Sequence, residues 1–263
     1  MTEITKNKKG KISLSYIAKK YWDKFFPNMS PEQLYLSTTK DLPESTNLKI
    51  TTHTTSPTLI FTNKGKDEAF KFTYTIKGKC IKYNVGNVCE KCQKHNISKT
   101  MQRNIFTFCK TNHLNRIDVA AINIGAYAWA RMGFVPDLIL WPIKRSAIAR
   151  RFNAIKKKLP TNQLCKLTTL FNEVSKAVKS KDPKSIWIIA DEKEPFYFDP
   201  KLSWGQALLL PHTSLPPNLD VDIDTDINYL GKFNLKDKDC VKRMKTYACS
   251  KKSPKKLKGI SNG

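Results

Sequence analysis

Between Ala69 and Ile76 the chain reads AFKFTYTI, so that Phe70, Phe72, Tyr74 and Ile76 alternate with Lys71, Thr73 and Thr75. A period of two puts the apolar side chains on one face of an extended strand and the polar ones on the other. Gly78, within KGK, breaks the run, and Ile81, Tyr83 and Val85 then resume the alternation. That pattern predicts a hairpin. The short apolar run TLIFTN (58–63) adds a strand before it, giving a β-meander with one buried face. Residues 98–112 then change to a helical period. Met101, Ile105 and Phe108 share one side of that helix, Ile97 precedes them in phase, and Ser98 is the expected N-cap. RIDVAAINI (116–124) is apolar almost throughout, as a strand buried on both faces would be. Next comes the stretch NIGAYAWARMGF, a short helix of small residues ending near Gly133, with Pro136 just beyond. The fold class expected is α+β: a mixed, mainly antiparallel sheet with flanking helices and a C-terminal helical and strand extension.

Other elements are read in the same way. Leu14, Ile17, Tyr21 and Phe25 fall on one stripe of an expected helix over 12–26. Ser30-Pro31-Glu32-Gln33 is a helix start, with Gln33 closing a capping box. Asp41 to Pro57 is mostly polar, and Pro57 marks a boundary rather than a strand interior. Ile148, Phe152, Ile155 and Leu159 define a helix surrounded by Arg145, Arg150, Arg151 and Lys156 to Lys158. Thr161 caps a further helix with Leu164, Leu167, Phe171, Val174 and Val178 inward, and SIWIIA (185–190) reads as a strand. The organisation expected is an N-terminal helical segment (1–45), a core (46–142), a helical and strand extension (143–235) and a basic, frayed tail (236–263).

Hydrophobic residues make up 40% of the 263 and aromatics 10%, enough for a packed core and against wholesale disorder. The net charge of +25 favours acidic partners: nucleic acid, an anionic membrane or an acidic protein. Only seven of the 47 basic residues are arginine, whereas readers of nucleic acid favour arginine for bidentate contacts. Weak, non-specific nucleic-acid binding is therefore the expectation, and the lysine excess is equally open to a genomic composition bias. The seven cysteines and an N-terminus without an apolar h-region point to a reducing cytoplasm, with secretion lacking a cleaved signal left open. No run reaches the ~18 apolar residues of a membrane span.

Between the second hairpin strand and that helix lies QKHNIS: Gln93, Lys94, His95, Asn96, Ile97 and Ser98. Asn123 ends the next strand, and Gly133-Phe134 closes the short helix. The order strand, loop, helix, strand, short helix, with these marks, resembles the cofactor-binding half of the GNAT-type N-acetyltransferases, in a divergent form found in bacterial and phage proteins. The resemblance covers about Leu48 to Phe134, and WGQALLL…INYLGKF (204–233) is similar to the C-terminal continuation of such chains. It implies that 93–98 stands for the (Q/R)-x-x-G-x-(G/A) loop, whose backbone N–H groups and helix N-terminus hold the pyrophosphate of acetyl-CoA. Gln93 fits, while Asn96 and Ser98 occupy the glycine positions; asparagine is the non-glycine residue that best tolerates positive φ. The family's proton donor, a tyrosine four residues before the glycine, corresponds to Trp129, whose indole N–H cannot serve as the acid. Tyr127 is two residues away, about 200° around a helix. Asn123, Tyr127 and Trp129 are thus the catalytic candidates. The activity implied is acetyl-CoA-dependent acetylation of an amine on a small molecule or protein. The rivals are an inactive scaffold of the same fold and a basic nucleic-acid- or partner-binding protein.

Two further patterns invite a metal. Cys89-x2-Cys92 with Cys109-x3-His113, and His95 in addition, has zinc-ligand spacing. A helix over 98–112 puts Cys109 about 16 Å from its start and excludes a shared zinc. Asp220 to Asp226 (DVDIDTD) alternates like a calcium loop but lacks the glycine and the closing glutamate, so a solvated strand face is expected. No metal site is assigned. His53, His113 and His212 are read as structural, and no Gly-x-Ser-x-Gly elbow, P-loop or His-Glu-x-x-His occurs.

Overall fold

The structure, a computed structural model, describes residues 2–6, 10–53, 56–63, 69–89, 96–121, 125–217, 219 and 227–249. It is a mixed α+β protein with a mainly antiparallel, multistranded sheet. The chain divides into two compact units, Met1–Asp118 with Lys245–Gly263, and Val119–Met244.

In the first unit β1 (Thr2–Lys6) and β2 (Gly10–Leu14) form an antiparallel hairpin. β2 lies parallel to β3 (Thr46–His53), with Ile12 opposite Leu48 and Leu14 opposite Ile50. From β3 the meander continues through β4 (Ser56–Asn63), β5 (Phe70–Lys77) and β6 (Cys80–Val88), each antiparallel to the last. Phe70, Phe72, Tyr74 and Ile76 are all buried, as the alternation predicts. Sequence patterning misses β3, because Thr46 and Thr52 share its buried face with Leu48 and Ile50 and dilute the apolar signal. β4 begins two residues ahead of the expected run, with Pro57 second in the strand and opposite Thr52.

The expected helix over 12–26 is corrected to a strand and two short helices, α1 (Tyr16–Lys20) and α2 (Trp22–Phe25). Pairing of β2 with β3 holds residues 12–14 extended, and Ser15 then starts α1 by accepting from the Ala18 amide at 3.2 Å. The stripe dissolves accordingly: Leu14, Ala18 and Phe26 are buried, while Ile17 and Tyr21 are exposed. Ser30 does cap α3 (Pro31–Thr39), and the reciprocal bond from the Ser30 amide to Gln33 completes the capping box. The sheet is covered by α4 (Ile97–Thr111), with Ile97, Met101, Ile105 and Phe108 inward. Its polar buried residues have fixed partners. Gln102 donates to the Tyr74 hydroxyl at 3.1 Å, and Asn104 donates to the carbonyls of Thr38 and Lys40 at the end of α3.

The boundary between the units falls within β7 (Arg116–Ala121). The second unit contains α5 (Gly125–Arg131), β8 (Val135–Pro136), α6 (Trp141–Lys158), α7 (Thr161–Lys166) and α8 (Thr168–Lys179). After these come α9 (Ile186–Asp191), a hairpin of β9 (Pro195–Phe196) with β10 (Asp199–Ser203), α10 (Trp204–Leu209), β11 (Tyr229–Asn234) and the start of α11 (Lys238–Cys249). β11 lies between β7 and β8 and is antiparallel to β8. The expected single helix from Thr161 is interrupted at Leu167, and Thr161 is its first residue, not its cap. The strand expected at 185–190 is helix α9. Asp182 and Pro183 start a 3₁₀ turn that leads into it, and its run is buried almost all round, which erases the periodicity that separates helix from strand.

Around Trp204 the second unit builds an aromatic core. Its ring meets Phe196 at 5.1 Å, Phe171 at 5.7 Å and Phe152 at 6.5 Å. Gly205 lets α10 approach α9 closely, since a Cβ there would stand 3.0 Å from the Glu192 carbonyl and nearer still to that of Ile189. Arg151 is fully buried and donates through Nη1 to the carbonyls of Leu208 and Leu210, satisfying the C-terminal end of α10. Methionine at position 151 keeps the stem and strands those carbonyls. We expect Arg151→Met to lower unfolding stability by about 1.5–3 kcal/mol in urea titrations, while the same change at exposed Arg150 leaves stability nearly unchanged.

Candidate functional site

The cofactor-loop candidates belong to the first unit and the catalytic candidates to the second. Gln93, Lys94, His95 and Asn123 lie outside the described residues. Asn96 is the N-cap of α4 and has φ 57°, in the left-handed region, with no side-chain cap bond. The first intrahelical bond runs from the Thr100 amide to the Asn96 carbonyl at 2.9 Å. Ser98 is therefore not the cap; it is the exposed second residue of the helix, because the left-handed turn at Asn96 starts α4 earlier. Ile97 is buried and anchors the first turn. No acidic residue occupies that turn, and Lys99 within it holds its ammonium 5.3 Å from the ring centroid of Tyr247. The head of a 15-residue helix with a cation and no carboxylate is electrostatically suited to an anion.

The strand that precedes α4 and the one that comes after it start side by side in the first unit. The Asn115 amide donates to the Lys79 carbonyl at 2.8 Å, and the Cys80 thiol lies 3.2 Å from the Asp118 carboxylate. Burial, with Asp118 adding to it, raises the pKa of Cys80. Cys109, near the end of α4, is fully buried, and burial pushes its thiol far above the ordinary range. A neutral thiol in apolar packing is neither nucleophile nor metal ligand. Of the remaining zinc candidates, Cys92 and His95 lie outside the described residues, as does Asp220 to Asp226. Among the described residues no group of three or more His, Cys, Asp or Glu is placed to hold a metal ion.

In the second unit Trp129 is a core residue. Its ring packs edge-on against Phe134 at 4.8 Å, and Phe134 in turn meets Phe233 at 5.2 Å. Gly133, at φ 98°, makes the turn between them, and a Cβ there would stand 2.9 Å from the Cys240 carbonyl. Glycine is thus required both by conformation and by space. Tyr229 closes the other side of α5, its hydroxyl donating to the Ala126 carbonyl at 3.1 Å. Tyr127 is half-buried, and its hydroxyl accepts from Arg131 Nη1 at 3.0 Å. A phenol that accepts from a guanidinium keeps its own O–H as a hydrogen-bond donor.

Sequence reasoning missed the polar network beside it. Arg131 Nε lies 3.4 Å from Asp191, which also takes both terminal nitrogens of Arg243 at 2.7 Å. Arg243 stacks on Trp187 at 4.9 Å, and the Trp187 indole donates to the Phe134 carbonyl at 2.9 Å. Burial, with Arg131 adding to it, lowers the pKa of Arg243 against the pull of Asp191. Only Arg131, four residues after Tyr127, carried a local signal; Asp191 and Arg243 are remote in sequence. Next to Asp191, Glu192 has its pKa raised by burial first and then by Glu173, Asp191 and Glu194.

The basic face expected around α6 is smaller than its sequence implies. Arg151 is internal, and Arg145 donates to the carbonyls of Lys179 and Ser180 at the end of α8. Among the described residues no helix is long and apolar enough to cross a membrane. Compared with known protein families, with curated proteins and with solved structures, the chain matches none.

Two measurements check this geometry. Trp129→Ala should cost about 3–5 kcal/mol of unfolding stability, the range for emptying a buried aromatic position, whereas Tyr127→Phe should cost about 1 kcal/mol. Glu192 gives a pH signature. Its folded pKa exceeds its unfolded one, so its ionisation weakens the fold as pH rises through the folded pKa. Glu192→Gln should therefore raise the melting temperature at neutral pH and leave it unchanged below about pH 4, where the wild-type carboxyl is protonated in both states.

Proposed function

We propose that this chain is a GNAT-like protein that holds acetyl-CoA at the head of α4 and whose transfer of acetyl to an amine has decayed. The observation that carries the proposal is Asn96. The residue at the first glycine position of the loop motif adopts the left-handed conformation that the motif needs, directly before a long helix with no acid in its first turn. Supporting it is the chain order β6, loop, α4, β7, α5, together with a mainly antiparallel sheet. The amides of Ile97, Ser98 and Lys99 lie in the helix turn that lacks intrahelical acceptors, where a diphosphate can take their hydrogen bonds. The exposed Ser98 hydroxyl is a further donor in reach of that turn. Lys99 adds charge.

Loss of turnover rests on the second unit. Trp129, at the position of the family's acid, is packed against Phe134 and has no acidic proton to give. A positioned general acid contributes about 10² to 10⁴ in rate; a thiol with a pKa near 8.5 still leaves tolerably as a thiolate, so the decay rests on the replaced loop glycines, Asn96 and Ser98, as well as on Trp129. The acceptor class that goes with this fold is an amine on a small molecule or protein.

The test is a thermal shift with acetyl-CoA. Ligand at about 100 times its Kd should add about 2.7 kcal/mol of stability, and Ser98→Asp should remove the shift by setting a carboxylate against the diphosphate. CoA release with a polyamine and lysine-peptide panel should stay at background, and Trp129→Tyr should not raise it. Equal binding of acetyl-CoA by Ser98→Asp dismisses the loop assignment, and robust transfer by the wild-type protein dismisses the decay. A sequence-specific nucleic-acid complex that survives high salt would replace the whole reading.

A further inference from the structure

The largest aliphatic exposure among the described residues of the second unit is gathered in one place. Ile139 is 84% exposed, Leu138 67% and Ile143 63%, and all three lie within the turn that opens α6. Leu230 on β11, 56% exposed, adjoins them, since its carbonyl accepts from the Asp137 amide at 2.9 Å. The turn is firmly held. The amides of Leu140 and Trp141 both bond the Asp137 carbonyl, and that of Ile139 bonds the Asp137 side chain at 2.9 Å. Trp141 beneath it is buried, with its indole donating to the Ser180 carbonyl at 3.0 Å. A rigid scaffold therefore presents isoleucine and leucine to solvent, with no local need for them.

The surroundings are cationic. Lys144 follows Ile143, and Arg145 is fixed to the end of α8, which brings exposed Lys179 and Lys181 alongside. Lys232 pairs with Asp137, so that carboxylate is already neutralised. Asp182 nearby caps the Lys184 amide, and Lys184 is itself paired with Asp237 and Asp239. Lys144, Arg145, Lys179 and Lys181 thus add four cations beside the Lys232–Asp137 pair.

From this juxtaposition we infer that the 138–143 turn is a docking tip for an anionic lipid surface, with Leu138, Ile139 and Ile143 entering the headgroup–acyl boundary and the surrounding lysines facing acidic headgroups. Charge decides among the occupants. A second copy of this chain would bring the same cationic rim against itself, on a molecule of net charge +25. Protein hot spots favour Trp, Tyr and Arg and are poor in leucine, whereas the tip is aliphatic and its rim mostly lysine. Short apolar insertions combined with lysine-rich flanks are the features that anionic interfaces select.

The experiment is flotation of the full chain with vesicles of pure phosphatidylcholine and of phosphatidylcholine containing roughly 30% phosphatidylserine, a composition that gives a negative surface potential. Binding should appear only on the anionic vesicles and fall as salt is raised. Ile139→Ser, at a position too exposed to disturb folding, should weaken it about tenfold or more. Lys144→Gln should weaken it about fivefold. The lysine-rich sequence after Cys249 can attract anionic vesicles through charge alone. Binding that Ile139→Ser leaves unchanged would therefore overturn the inference, as would no vesicle binding at all. A concentration-dependent dimer abolished by Ile139→Ser would assign the tip to self-association and overturn it as well.

Discussion

A fully buried tyrosine hydroxyl must have a partner, and in the first unit that requirement sets the geometry of everything above the sheet. Tyr74 lies in the middle of the meander's inner face, and Gln102 on α4 supplies the bond. Two residues further along, Asn104 secures the carbonyls that end α3. Side chains at 102 and 104 point about 200° apart on a helix, so the two bonds pin α4 from opposite sides and leave it no freedom to roll. Once α4 is pinned, the position of its first turn is decided. Asn96 must then turn the chain through a left-handed residue to enter it. The left-handed entry to α4 is thus tied to how a strand residue buried its hydroxyl.

In the second unit the corresponding pressure is cation burial. Arg151 is enclosed and satisfies the end of α10; Arg243 is largely enclosed and shares Asp191 with Arg131 while lying against Trp187. These arginines serve the fold through carbonyls, a carboxylate and an aromatic face, all of which suit a planar fork of donors. Of only seven arginines in a chain so basic overall, these are committed to the fold. The exposed charge is left mostly to lysine, which suits diffuse attraction to an anionic partner better than base-specific contact.

Small residues along α5 have a concrete use. Ala126 and Ala130 are buried without bulk, Tyr229 reaches the Ala126 carbonyl, and Trp129 turns into the Phe134–Phe233 cluster. A helix packed this tightly positions one side chain with great constancy, and here that side chain is an indole. Tyr127 on the same helix is half-buried and tethered to Arg131.

Much of the first unit is legible in the sequence because its signals are local. The alternation over 69–76, the inward face of α4 and the Ser30 capping box depend on neighbours within a few residues, and each appears where its pattern places it. Asn96 belongs to this group too, since its tolerance of positive φ is a property of the residue itself. Other elements needed partners from elsewhere in the chain. Residues 12–14 could satisfy a helical stripe, yet a parallel partner in β3 held them extended. Residues 186–190 are apolar on nearly every side, so no period distinguishes helix from strand until packing chooses. The roles of Arg145, Arg151 and Asp191 depend on partners far away in sequence, and a side chain's burial and pairing are properties of those partners. Local patterning dictated which faces must be covered; which residues did the covering, and which were consumed by it, was settled by long-range contacts whose energies no local pattern encodes.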